Sequence, residues 1–270
     1  MYIKTPEATR QIEKGGKILG RILSRLAKKC KVGISTVEID KYAEEMILKA
    51  GGRPSFKGYR SRPQDTPFPT TICASVNHEL VHAYARKEVV LQDGDIFSID
   101  IGMEYPYKKN YRGYFTDTAL TLPIGQVDEK TIELLAVTRQ ALYTGLEAAK
   151  AGNTVADIGK AIEQYVKSQG KYGIIRDLVG HGVGYEVHED PRIPNFYDKN
   201  LRDFILKPGM VIAIEPMISL GDYKIKTADD GWAIETADHS LCAHFEHTVV
   251  IKEKDSKIAT RRPKEASENP

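Results

Sequence analysis

The chain has 270 residues, and its 39 lysine and arginine residues nearly balance 37 aspartate and glutamate residues, which leaves a formal net charge of +2. This balance argues against a protein whose main activity is nucleic-acid binding. A hydrophobic fraction of 41% excludes wholesale disorder. The longest apolar run, Met210–Ile214, is too short to cross a membrane. We therefore expect one large globular domain or two modest ones, with no membrane association.

Cysteine usage and the start of the chain indicate a reducing compartment. Cys30, Cys73 and Cys242 lie far apart and form no CxxC pair, so neither a disulfide framework nor a thiolate zinc site is expected. The first segment, MYIKTPEATRQIEK, carries charges throughout and lacks the apolar centre of a secretory signal. We expect a cytoplasmic protein.

Two helices and several strands are predicted first. Thr5 precedes a proline, which is typical of a helix start, and apolar residues then recur at helical spacing until Gly33. Ser35 and Glu38 form a capping-box pattern, which predicts a second helix that ends at Gly51. The β-rich stretches TTICASV, IFSIDIG and YFTDTALTL follow.

The same order then repeats. A helix is predicted over residues 128–150, and the capping-box pair Thr154 and Asp157 begins another that ends at Gly170. Four β-like stretches follow: IIRDLV, MVIAIEPMI, DGWAIET and CAHFEHTVVI. We therefore predict one α+β domain over residues 1–252, made of similar halves (about 1–124 and 125–252) that meet at a cleft. Residues 253–270 are predicted to form a flexible, solvated tail.

Four carboxylates lie in or beside the β-like apolar runs. Asp100 and Asp117 are inside predicted strands, Glu215 follows MVIAI, and Glu246 precedes HTVVI. For each one alone, a position on the solvent face of a strand is the simpler interpretation. Together, acids from both halves are expected to converge on the cleft, where their repulsion would be offset by a pair of divalent cations.

Histidines add nitrogen ligands to this set. His181 lies among three glycines in GHGVG, where the backbone can approach a ligand closely, and His82 and His188 are further candidates. One imidazole with four carboxylates suits Mn(II), Fe(II), Co(II) or Zn(II) in a hydrolytic centre of two metals. Three other histidines are interpreted more simply as surface or hydrogen-bonded core residues: His78, His239 and His244. His247 is left undecided.

The chain resembles the type I methionine aminopeptidases, in their short bacterial form. The motifs that carry the resemblance are TICASVNHELVHA, DGDIFSIDIG, FTDTALT, GHGVGYEVHEDP, IEPMI and DGWAIETADHSLCAHFEHTVVI, in the family's order over about residues 3–252. The resemblance implies the pita-bread fold, with two pseudo-symmetric αβ halves, a central antiparallel sheet and helices outside. It also implies removal of the N-terminal methionine from peptides and nascent chains at the ribosome, by a cytoplasmic monomer.

The resemblance also assigns the site residues. It implies that Asp117 and Glu246 bridge two metal ions, that Asp100 completes one site, and that His181 with Glu215 completes the other. Glu215 would also act as the proton shuttle in the hydrolysis.

Four further positions match the substrate site of this family. His82 and His188 match the two histidines that contact the substrate amide and stabilise the developing oxyanion. Cys73 and Trp232 match positions that line the methionine pocket, although a plain core role is open for both. The loop between the two aspartates, MEYPYKKNYRGYF, is longer than is usual in the family.

Two other functions compete with this interpretation. The first is a sister hydrolase on the same fold, an Xaa-Pro peptidase or a creatinase-like enzyme. The second is a non-catalytic pita-bread binding protein, which typically lacks some of the metal ligands; here all five matching positions are present.

Overall fold

The computed structural model describes residues 2–60, 62–263 and 265. The first part of the chain forms two helices and five strands: α1 Pro6–Ala27, α2 Thr36–Lys49, β1 Arg53–Pro54, β2 Ile72–Val76, β3 Glu79–Val81, β4 Ile96–Tyr105 and β5 Tyr114–Pro123. The second part repeats the order with two helices, a 3₁₀ turn over Lys199–Leu201 and ten strands: α3 Glu129–Ala148, α4 Val155–Gln169, β6 Gly173–Ile174, β7 Gly180–Gly182, β8 Glu189–Ile193, β9 Val211–Ile214, β10 Met217–Ser219, β11 Ile225–Thr227, β12 Ile234–Thr236, β13 Cys242–His244, β14 His247–Ile251 and β15 Ser256–Ile258.

The predicted helix starts are confirmed by their caps. The Thr5 hydroxyl accepts a hydrogen bond from the Ala8 amide at 3.1 Å, and capping boxes begin α2 at Ser35 and α4 at Thr154. In the described residues, no helix is long and apolar enough to cross a membrane.

The first helix is shorter than predicted. It ends at Ala27 rather than continuing to Gly33. The Gly33 amide instead donates to the carbonyl of Leu91 at 2.8 Å, so the segment after α1 bonds to the chain that precedes β4.

Several of the predicted strands are shorter or interrupted. The stretch IIRDLV contributes only its first residue to β6. The stretch MVIAIEPMI breaks at Glu215 and Pro216, and CAHFEHTVVI breaks at Phe245 and Glu246. Proline has no amide hydrogen to continue a ladder, which accounts for the first break. Both glutamates therefore lie at gaps between strands rather than within them.

The strands form four sheets in the described part of the chain, and every ladder is antiparallel. The larger sheets have the orders β1-β4-β2, with β5 beside β4, and β15-β14-β9-β7-β8. Strand β3 pairs with β12, so the two parts of the chain share a sheet. The apolar faces of the helices pack against these sheets in the main core. The predicted α+β class is confirmed.

The C-terminal segment differs from the predicted solvated tail. Residues 256–258 form β15 on the edge of β14, and Ala259, Thr260 and Arg262 are buried. A Cβ on Gly20 of α1 would lie 2.5 Å from the Thr260 carbonyl oxygen, so the close approach requires glycine. The prediction is therefore wrong for residues 256–262, because the backbone of this segment packs closely against glycines of α1. Residues 264 and 266–270 lie outside the described residues.

Candidate metal centre

The two aspartates occupy neighbouring positions on adjacent strands. In the β4–β5 ladder, Asp117 lies opposite Gly102, two residues beyond Asp100. Because side chains two residues apart on a strand point to the same face, Asp100 and Asp117 are diagonal neighbours on one face of the sheet.

The two glutamates reach the same place from the gaps between strands. The Glu246 amide donates to the carbonyl of Ala119 at 3.0 Å, which brings the β13–β14 link against β5. The side-chain amide of Asn195 donates to the Glu215 carbonyl at 3.0 Å. As a result, one cavity of about 190 Å³ contains all five sequence-predicted ligands on its wall: Asp100, Asp117, His181, Glu215 and Glu246.

The His181 ring is oriented as a metal ligand would be. Its Nδ1 contacts the Gly182 carbonyl at 2.9 Å, so Nδ1 carries the hydrogen and donates it. The Nε2 lone pair is then free to face the carboxylates, 3.5 Å from Asp117 Oδ2 and 3.6 Å from Glu215 Oε1. Ligand atoms of Asp117, His181 and Glu246 all lie within 4.8 Å of one another.

Threonines on the neighbouring strands bond to the Asp117 carboxylate and to the backbone of Glu246. The Thr248 hydroxyl is 3.0 Å from Asp117 Oδ1, and it also accepts from the Asp117 amide at 3.1 Å. The Thr118 hydroxyl donates to the Glu246 carbonyl at 2.7 Å. These contacts join β5 to β14 at the centre, so the carboxylate positions are determined by backbone geometry.

Burial and mutual repulsion raise the pKa values of the four carboxyl groups. Burial, with repulsion from Asp117, raises the pKa of Asp100 to about 8, and burial raises that of Asp117 to about 6. For Glu215 and Glu246, burial and the neighbouring acids raise the pKa well above the ordinary value. Asp100 Oδ1 is buried with no hydrogen-bond partner among the described residues. An orphaned carboxylate oxygen among clustered acids fits divalent cations.

His82 and His188 also contact this cavity. His82 follows β3 and has a φ of 60°, a backbone conformation that is uncommon outside glycine. Its side chain lies on the cavity wall. Burial, with repulsion from His188 and His181, lowers the pKa of His82 to about 4, so it is neutral at pH 7. His188 Nδ1 lies 3.0 Å from the Tyr59 hydroxyl, and its ring packs edge-on to His181 at 4.6 Å.

A second, more apolar pocket of about 170 Å³ adjoins the first through His82, Asp100 and His188. It contains both predicted pocket residues, Cys73 and Trp232, together with three aromatic residues that the sequence analysis did not single out: Phe56, Tyr59 and Phe68. The rings of Phe68 and Trp232 meet edge-to-face at 5.2 Å. These aromatics precede β2 in irregular segments, where no periodicity marks a residue as buried.

The Cys73 thiol is not a candidate nucleophile. Burial, and then repulsion from Asp100, raises its pKa well above the ordinary value. The thiol therefore stays protonated and serves as an apolar part of the pocket wall.

The structure corrects the plain interpretation of His244. This residue is buried, lies on the cavity wall, and has neither ring nitrogen hydrogen-bonded among the described residues. Its Nε2 is 3.6 Å from Glu215 Oε2. The β-like run around it gave no sign that its side chain faces the carboxylates. His247, left undecided, points to the C-terminal segment, with Nδ1 2.9 Å from the Thr260 hydroxyl and Nε2 3.1 Å from Glu265.

Comparisons with known proteins identify the family of the chain. Residues 10–253 match metallopeptidase family M24. Methionine aminopeptidase 1 of Bacillus subtilis is 44% identical over 258 residues, which are 96% of this chain and 98% of that protein. The crystal structure of methionine aminopeptidase from Thermotoga maritima superposes with a TM-score of 0.88 at 38% identity, covering 96% of this chain and 99% of that one.

A more distant likeness separates the two enzyme interpretations. The prolidase from Pyrococcus furiosus superposes with a TM-score of 0.74 at 26% identity, and the match covers 97% of this chain but only 66% of the prolidase. The predicted pita-bread fold is confirmed, and this chain matches nearly the full length of the methionine aminopeptidases.

Proposed function

The chain belongs to metallopeptidase family M24 and, within it, to the methionine aminopeptidases; on that premise we propose how its site removes an N-terminal methionine. The cluster of carboxylates and one histidine binds two divalent cations. Asp117 and Glu246 would hold both ions, Asp100 would complete one site, and His181 with Glu215 would complete the other. The observation that carries this proposal is the convergence of all five side chains on one cavity, with a carboxylate oxygen left unpartnered.

The donor set limits which metals are suitable. Four carboxylates with one imidazole favour Mn(II), Fe(II), Co(II) or Zn(II) over the soft metals that select thiolates. When bound, such ions lower the pKa of water to near neutrality and polarise a carbonyl oxygen. Because Asp117 and Glu246 are both fully enclosed, ion binding also removes the repulsion between them.

The protein's own groups supply the remaining chemistry. Glu215 takes the proton from the attacking water and returns it to the leaving amine. His82 and His188 lie where the cavity meets the apolar pocket, and they donate hydrogen bonds to the substrate amide and the developing oxyanion.

The apolar pocket accounts for specificity. Its aromatic rings surround a volume suited to one unbranched side chain, and a thioether sulfur makes favourable contacts with ring edges. Because the pocket opens on His82 and Asp100, a methionine side chain held there presents its own carbonyl to the carboxylate cluster.

A comparison of two tripeptides tests the proposal. With a divalent metal supplied, the protein is expected to hydrolyse Met-Ala-Ser faster than Ala-Pro-Ala. A preference for Ala-Pro-Ala favours an Xaa-Pro peptidase. Failure to bind any divalent metal contradicts the hydrolytic centre and favours the non-catalytic binding protein.

We also propose nascent chains as the natural substrates, acted on by a monomer in the cytoplasm. Methionine is the first residue of newly made chains, so a pocket for an N-terminal methionine suits an enzyme that works beside the ribosome. Sedimentation of the purified protein with ribosomes tests whether it acts on nascent chains. Its elution volume in size-exclusion chromatography tests whether it is a monomer.

A further inference from the structure

A second group of metal-ligating side chains lies at the protein surface. His78 is in the turn between β2 and β3, Glu235 is on β12, and His239 is in the turn that follows β12. One ligand atom from each lies within 4.8 Å of the others. The two imidazole rings meet edge-to-face with centroids 4.9 Å apart, and His78 Nε2 is 3.9 Å from Glu235 Oε1.

The backbone places these three side chains together. The β3–β12 ladder sets Glu235 opposite Glu79, and the Thr236 amide donates to the His78 carbonyl at 3.0 Å. His239 has a φ of 57°, and its amide bonds back to Thr236, so the turn folds the ring over β12. The three ligands are therefore brought together by main-chain bonds.

The cluster already holds a cation. The Lys226 ammonium lies 3.0 Å from His239 Nε2 and 3.6 Å from Glu235 Oε2, so it donates to the ring-nitrogen lone pair that a metal would use. The Lys226 side chain is 44% exposed, so its ammonium can turn into solvent. Two imidazoles and one carboxylate form the ligand set of many zinc sites, with the remaining position left for water.

We propose that His78, Glu235 and His239 form a second transition-metal site, separate from the carboxylate centre, which takes Zn²⁺, Ni²⁺ or Co²⁺ in place of the Lys226 ammonium. The nitrogen ligands select these ions over Mg²⁺ and Ca²⁺, which prefer oxygen. Ligand bonds of about 2.1 Å place neighbouring ligand atoms roughly 3.4 Å apart, which exposed side chains reach by small rotations. The bound ion would connect the turn before His82 to the strand after Trp232.

Counting bound Ni²⁺ by equilibrium dialysis tests the site. At Ni²⁺ concentrations that fill the site, the wild-type protein is expected to bind one more equivalent of Ni²⁺ than the double variant His78→Ala/His239→Ala. The affinity of this site for Ni²⁺ should be reduced at least about tenfold in the variant. Both proteins should have the same far-UV circular dichroism and the same turnover of a methionine peptide, because neither histidine contacts the carboxylate centre.

Removing the competing ammonium provides a matched pair. Lys226→Ala is expected to increase the affinity of this site for Ni²⁺ about two- to fivefold, which is the usual effect of one exposed charge pair. Lys224→Ala, which removes an exposed lysine outside the cluster, should leave the affinity unchanged. Equal stoichiometry in the wild type and the folded double variant would overturn the proposal, as would identical Co²⁺ absorption spectra.

Discussion

Asp117 is 4% exposed at its side chain, and burial raises its pKa to about 6. Thr248 orients it through both the backbone amide and the carboxylate, so it cannot turn towards solvent. At pH 7 its charge therefore costs free energy in the metal-free protein. This cost is offset only when a cation binds, which is the usual relation between a functional site and local stability.

Replacing the Asp117 carboxylate is expected to lower activity without lowering the stability of the metal-free protein. In Asp117→Asn the proposed bridging ligand is lost, and we expect turnover of a methionine peptide to fall by about a thousandfold or more, because a metal contributes several kcal/mol to the transition state. The melting temperature of the metal-free variant should equal or exceed that of the metal-free wild type, since repulsion is relieved. Kinetics, bound metal and thermal melting of both proteins check this.

The exposed Asp203→Asn provides the control, with no expected change in turnover. A metal-free Asp117→Asn protein that melts well below the wild type would contradict the view that this acid is destabilising there.

Among the elements, the C-terminal segment packs against β5, the strand that carries Asp117 of the carboxylate centre. Arg262 is buried, and its guanidinium donates to the Thr118 hydroxyl at 3.2 Å and the Ala119 carbonyl at 3.3 Å, both on β5 next to Asp117. Glu265 pairs with this guanidinium and contacts His247. Burial opposes ionisation of Glu265, but hydrogen bonding from His247 and the Arg262 charge keep its pKa below the ordinary value.

Removing the guanidinium tests this support. We expect Arg262→Ala to lower the free energy of unfolding by about 3 kcal/mol, because it leaves the Glu265 carboxylate buried without its partner. The neighbouring Arg261 is exposed, so Arg261→Ala should change stability by less than about 0.5 kcal/mol. Denaturant unfolding of both variants measures the difference. Equal stability of the two would show that the segment is only loosely attached.

For the whole molecule, the raised pKa values make the stability of the metal-free protein depend on pH. Asp100 and Asp117 titrate near 8 and 6 in the folded chain, above the ordinary value of 3.8. Their contribution to stability is therefore complete below about pH 4 and is lost as the pH rises through 6 to 8. Metal binding displaces the proton that Asp100 retains at neutral pH.

We therefore expect stabilisation by Mn²⁺, measured as the difference in melting temperature between loaded and metal-free protein, to increase from pH 5.5 to 8. Calorimetry in buffers of different ionisation enthalpy should show proton release on binding at pH 7, and less release at pH 9. A melting difference that is constant over this range would contradict the assigned pKa shifts. Asp117→Asn should show a weaker pH dependence.

The sequence alone determined the helices and the identity of the candidate ligands. Caps such as Ser35 and Thr154 act through residues three positions away, so their helix starts are readable locally. Likewise, an acid such as Asp100 within an apolar strand is unusual enough to be noticed without a structure. The motif order then predicted the family, which the comparisons confirm.

Only the tertiary structure decided which side chains meet. The distance from His181 to Glu215, the burial of His244 and the aromatic wall at Phe56 depend on strand register and on loops without periodicity. The docked C-terminal segment was missed because its backbone packs against glycines of a helix that is distant in the chain. Local patterns record what each residue prefers, whereas burial and charge repulsion arise from contacts between segments far apart in the chain.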